Sequence, residues 1–217
     1  MKKLLVAAIL GFLMTEVGSA QLLKEKPFEG MIDLRKMSVL DTNEYTYYIK
    51  GDHVRIDEID SKTKTVAGSF LIDLKLNTMI SLSHDRKLYM DQKPNPPPVV
   101  KGQPEIIITK NPRTILDVKC TEYVVKNKEE NADISFFISN SGKYAFFVPL
   151  LKVLDRKDKF SSYYLRLTGV DELFPFLAIQ RDLNGKETGR IETLKMEKKE
   201  LNASMFDIPA GYTKFDK

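Results

Sequence analysis

The chain has 217 residues, 42% of them hydrophobic and 29% charged, which excludes a protein too polar to bury a core. Its formal charge of +4 is spread along the chain, which argues against a nucleic-acid binder, since that role wants a concentrated basic patch. A single cysteine, Cys120, excludes a framework of internal disulfides, so the fold must stand on its core.

Lys2 and Lys3 precede an apolar run, Leu4 to Met14, and Gly18-Ser19-Ala20 places small residues where a signal peptidase cuts. Residues 1–20 therefore read as a secretory signal peptide, with a mature chain from Gln21 and one domain over 21–217. The run is too short to span a bilayer, and a short anchoring helix is the alternative. No later stretch is long enough to cross a membrane. The expected location is the periplasm or the outside of the cell.

Phe28 to Lys36 alternates Phe28, Gly30, Ile32 and Leu34 against Glu29, Met31, Asp33 and Arg35, the signature of a half-buried strand. Tyr45, Tyr47 and Ile49 set the inner face of a second strand. Gly51-Asp52 makes a tight turn, and Val54 and Ile56 carry the inner face of a third, His53 to Ile59. Phe70, Ile72 and Leu74 mark a fourth strand, followed by Thr78 to Ser83 and Lys87 to Asp91. These six strands form a meander. Residues 93–104 carry five prolines and cannot be regular sheet or helix, so they are a linker or a flap.

Glu105 to Thr109 reads as a strand, and Thr114 to Lys126 as the longest strand in the chain. Val118, Cys120 and Val124 lie on its dry face and Lys119, Thr121 and Tyr123 on its wet one. Cys120 is thus a buried, inert thiol. Ile134 to Ser139 follows. Tyr144 to Leu154 repeats Tyr144, Phe147, Leu151 and Leu154 at helical spacing, with Pro149 as an interior residue that can split the helix. This helix is either plain core or a lid. Leu173 to Asp182 and Thr188 to Glu200 form a hairpin about Asn184-Gly185, and the charges of the second strand suit an exposed edge. The pattern predicts a mainly β fold: a long antiparallel meander curled over a helix.

Four stretches in order carry a resemblance: FEGMID at Phe28 to Asp33, YYIKGDHVRID at Tyr47 to Asp57, ILDVKCTEYVV at Ile115 to Val125 and FDIPAGY at Phe206 to Tyr212. The chain resembles the secreted bacterial domains of unknown function numbered 4412, which are similar in turn to the LolA-like periplasmic lipoprotein carriers. It departs from the group at Asp117, where glycine is frequent, and at Phe136 and Phe137, where the group has a tryptophan. The resemblance implies a curved, incomplete antiparallel β-barrel with one or two helices on its concave face. In the carriers that face holds lipid chains, which makes a lipid or a lipoprotein acyl chain the implied partner.

No catalytic constellation assembles from the residues. His53 and His84 lie at turns, no metal-ligand spacing occurs, and Cys120 faces away from His53. Asp57, Glu58 and Asp60 read as a solvated acidic hairpin. The expectation is a protein that is not an enzyme and needs no cofactor or metal. Phe28, Ile32, Leu34, Tyr45, Tyr47, Ile49, Val54, Ile56, Phe70, Ile72 and Leu74 present more apolar surface than one curved sheet can cover with itself. A helix, an apolar ligand or both must fill it, with Phe147 and Leu151 closing the gap from the helix. The alternative to a carrier is a cell-envelope interaction module with a filled core, whose partner is another envelope protein.

Overall fold

The computed structural model describes residues 26–93, 99–154 and 158–215. Residues 1–20, where a signal peptide is expected, and the prolines at 94–98 lie outside the described residues, and with them the choice between linker and flap. The meander consists of β1 (Gly30–Ser38), β2 (Thr42–Lys50), β3 (His53–Ile59), β4 (Val66–Asp73), β5 (Thr78–Ser83) and β6 (Leu88–Gln92). Each strand is antiparallel to the one before it. Short turns make this possible. Gly51 at φ 56° and Asn77 at φ 56° supply the left-handed residues that such turns require.

The second half contributes β7 (Glu105–Ile108), β8 (Arg113–Ile115), β9 (Val118–Asn127), β10 (Ala132–Ser139), β11 (Pro175–Arg181) and β12 (Glu187–Lys198). A last short strand, β13 (Thr213–Lys214), runs parallel to β6. The order across the sheet is β13-β6-β5-β4-β3-β2-β1-β12-β11-β10-β9-β7, with β8 also against β9. The sheet is curved and does not close into a barrel. Register shifts at Asp33/Leu34, Glu58/Ile59, Phe137/Ile138 and Gln180/Arg181 are bulges, the device that bends strands.

Two helices, α1 (Phe147–Leu154) and α2 (Lys159–Tyr164), pack on the concave face. Between them and the sheet lies an aromatic core. Tyr163, Tyr164, Phe136, Phe174 and Phe176 are among its largest fully buried members. Among the described residues no helix is long and apolar enough to cross a membrane.

Several sequence expectations are corrected. The stretch Thr114 to Lys126 is not one ribbon. Leu116 (φ 47°) and Asp117 (φ 62°) form a two-residue hairpin turn that separates β8 from β9. Left-handed backbone costs a residue with a Cβ, and Leu116 and Asp117 both carry that cost here. Burial along β9 also changes face. Cys120 is fully buried, but farther on it is Val125 and not Val124 that enters the core. Ser135 opposes Val124, whereas Ile134 opposes Val125 on the concave side.

The helix begins at Phe147 rather than Tyr144. Pro149 does not split it, because it sits in the first turn, where its missing N–H would have no partner. α2 has no counterpart in the sequence reading. Finally, β12 is not an edge strand. It lies between β1 and β11, and its charged end Lys195–Lys198 pairs with β1 beyond the reach of β11. That end has one free side, and its charges suit it.

Burial pushes the Cys120 thiol up to about 11. The thiolate is the reactive form. A thiol reagent at pH 8 should leave the folded protein unlabelled and modify it stoichiometrically after denaturation; rapid labelling of the native state would refute the burial.

Candidate functional site

The site is the seam between the helical layer and the concave face. β1 and β2 place Leu34, Tyr45 and Tyr47 on that face, because these residues share one parity of the strands: Leu34 stands opposite Tyr45, and Tyr47 opposite Ile32. From the other side α1 lowers Phe147, Leu150, Leu151 and Leu154 toward them. Phe136, Tyr164, Phe174, Ala178 and Ile191 complete an apolar cleft of about 70 Å³. That volume holds roughly two waters' worth of liquid, so the cleft is narrow.

One end of the cleft is polar. Lys36 continues the register of Ile32 and Leu34 on β1 and so points with them toward the helices. Its Nζ lies 3.1 Å from Oδ2 of Asp158. Asp158 is also the N-cap of α2, where Oδ1 accepts from the Ser161 N–H at 2.8 Å. Lys36, Asp158 and Ser161 all line the cleft. The helical layer is fastened by side chains. Lys159 Nζ donates to the Glu130 carbonyl at 2.5 Å, and Tyr163 donates to Glu130 Oε2 at 2.6 Å. The Tyr163 hydroxyl, helped by the Lys101 N–H, holds the Glu130 carboxyl below its usual range. Among the described residues no backbone hydrogen bond ties α1 or α2 to a strand.

Five of the predicted site residues meet here: Leu34, Tyr45, Tyr47, Phe147 and Leu151. Phe28 and Leu74 line a separate depression, with Phe146 and Pro149, near the Gly51 turn. Ile32, Ile49, Val54, Ile56 and Ile72 are buried in the core, and Phe70 packs against it, without reaching the cleft. The sequence reading missed Lys36 and Asp158. The signals were present: a lysine in apolar register at the end of β1, and an aspartate three residues before a serine, the spacing of an N-cap.

The convex face carries a second constellation. Arg55 grips Asp57 with Nε to Oδ1 at 2.7 Å and a terminal nitrogen to Oδ2 at 3.2 Å. Ser69 Oγ donates to Asp57 Oδ1 at 2.6 Å. His84 Nε2 lies 2.7 Å from Ser69 Oγ, and its Nδ1 lies 2.5 Å from the Tyr212 hydroxyl. A hydroxyl has one proton, and Ser69 gives it to Asp57. His84 must then donate through Nε2, which leaves Nδ1 to pair with the Tyr212 hydroxyl. This is the reverse of a nucleophile and its base: no lone pair of His84 faces the Ser69 proton. Asp57 is therefore not part of a solvated acidic hairpin. It is buried, and its partners fasten the C-terminal segment to the sheet.

The family model described as "Domain of unknown function (DUF4412)" matches residues 28–212. No curated protein matches the chain. Among solved structures, an uncharacterized conserved protein from Thermus thermophilus superposes with a TM-score of 0.52 at 7% identity, covering 85% of this chain and 88% of that one. The likeness shows a shared fold. A DUF1329 family protein from Desulfovibrio piger gives a TM-score of 0.39 at 7% identity, with 84% and 90% covered. PNGF-II gives 0.45 at 13% identity, with 86% of this chain covered and 30% of that one.

Proposed function

This chain belongs to the Domain of unknown function (DUF4412) family, and we propose that it acts as an exported carrier for an apolar, single-chain ligand seated between the helical layer and the concave face. One observation carries the reading: the helical layer and the concave face each present an apolar wall, and where they pack a cleft of about 70 Å³ remains between them. The ligand is lipid-like, a free chain or the acyl chain of a lipoprotein. Each methylene that leaves water gains about 0.8 kcal/mol. At about 70 Å³ the cleft admits only the end of a chain, so a longer stretch enters as α1 and α2 move off the sheet. Their attachment by side chains alone suits that motion. No covalent chemistry is assigned to the site, and the protein works without a cofactor.

The test is displacement of a fluorescent fatty acid. Wild type should bind it saturably with one site. Ala178→Leu places three more carbons in the cleft and should weaken binding by about tenfold or more while keeping the fold. Absence of saturable binding to the wild type would end the carrier reading.

A second reading, an envelope interaction module, is favoured by β7. This strand ends the sheet on one side, and its Ile106, Ile107 and Ile108 are 42%, 39% and 60% exposed. An exposed apolar edge of this kind, charged only at Glu105, is a template for an added strand. An extended segment of another envelope protein would be its partner.

A further inference from the structure

We infer that the ligand of the cleft is an anionic amphiphile, a long-chain carboxylate whose head group is taken by Lys36 in exchange for Asp158; this rests on the carrier reading above. The argument begins with the composition of the walls. The sides of the cleft are apolar, while Lys36, Asp158 and Ser161 bring charge and polarity to one end. An apolar chain alone requires nothing of that kind. A cation held at the end of an apolar slot suits a ligand with a negative head and a neutral tail.

The ion pair is built so that Lys36 can change partner. Asp158 divides its two oxygens between two tasks: Oδ2 meets Lys36 Nζ at 3.1 Å, and Oδ1 accepts from the Ser161 N–H at 2.8 Å. If Lys36 turns to a ligand carboxylate, Asp158 keeps the α2 cap. The exchange replaces one N–H···O contact of the ammonium with another, and Asp158, which gives up its ion pair, keeps the Ser161 N–H on Oδ1 and turns Oδ2 to solvent. About a quarter of each side chain is exposed, 27% for Lys36 and 22% for Asp158, so the head group arrives from solvent and the tail goes inward. The same pair bridges β1 and the start of α2. Breaking it loosens α2 at the moment the chain needs space, which couples head-group recognition to opening.

The probes are dodecanoate, dodecan-1-ol and dodecyltrimethylammonium, each titrated below its micelle concentration into the mature protein. Dodecanoate should bind roughly tenfold tighter than the alcohol, and the trimethylammonium weakest. Lys36→Gln should bring the ratio of acid to alcohol affinity close to one. Asp158→Asn retains the cap, since asparagine serves there equally well, and removes the competitor. It should raise that ratio several-fold. Melting curves of both variants show whether the fold is intact. Equal binding of acid and alcohol to the wild type, or an unchanged ratio in Lys36→Gln, overturns the inference and leaves the carrier reading standing. Saturable binding of none of the three overturns both.

Discussion

Phe174→Ala should be among the most destabilising single changes in the protein, costing about 3–5 kcal/mol and lowering Tm by roughly 10 °C. The reason lies in the number of rings that converge on this one. Phe147, Tyr144, Phe176 and Phe146 stand at centroid distances of 4.8, 5.5, 5.6 and 6.1 Å. The Phe147 and Phe176 rings meet it edge to face, the favoured aromatic geometry. Its main chain is tied to the end of β10, with the Ser139 N–H donating to its carbonyl and its own N–H donating to Ser139 Oγ. The void would open onto the cleft, which Phe174 also lines. Phe174→Leu refills most of the volume and should recover more than half of the loss. Thermal or urea unfolding of the two variants reads this directly. A Phe174→Ala protein as stable as wild type would mean that the aromatic layer is not the core of the fold.

That layer shows where sequence reading succeeds and where it stops. Strands β3 and β5 fall on the residues expected of them, because the Gly51-Asp52 turn and the polar residues about Asn77 and His84 punctuate a clean alternation. The same alternation finds the concave face: Ile32, Tyr47 and Ile56 do stand side by side across β1, β2 and β3. Periodicity is local, and these features are local. The hairpin turn at Leu116-Asp117 escapes it because neither residue is glycine. α2 escapes because Lys159–Tyr164 is short and built of serine and tyrosine, which are weak helix formers held there by a cap and by burial. The central place of β12 depends on β1, far away in sequence, so its charges suggest an edge that the pairing removes. The cleft was half legible. Leu34, Tyr45, Tyr47, Phe147 and Leu151 follow from apolar register, whereas the polar end joins Lys36 to Asp158 across most of the chain, and no period connects them.

The convex network reaches as far, through Met205 and Tyr212, and its removal should be comparably severe. Asp57→Ala is expected to cost about 3–5 kcal/mol, the range for breaking a buried ion pair by deleting one partner. Arg55 would lose both of its contacts to the carboxylate while remaining mostly buried, and Ser69 would lose the acceptor of its proton. The consequence should extend to the C-terminal segment. Arg55 also donates to the Met205 carbonyl at 3.3 Å, and Ser69 leads through His84 to Tyr212. Just beyond Tyr212, β13 covers the outer side of β6, with the Thr213 N–H donating to the Lys87 carbonyl. Hydrogen exchange should therefore accelerate at Thr213 and Phe215, and at β6, more than at β9 or β10. Tyr212→Phe removes a single hydrogen bond and should cost about 1 kcal/mol, with a smaller change confined to the same segment. Arg55→Met combined with Asp57→Leu removes both charges together and should regain much of the stability lost in Asp57→Ala, because a buried pair exchanged for apolar residues of similar size is frequently neutral. Uniform acceleration of exchange across the whole sheet in Asp57→Ala would show that the network supports the fold at large and is not the fastening of its C-terminal strand.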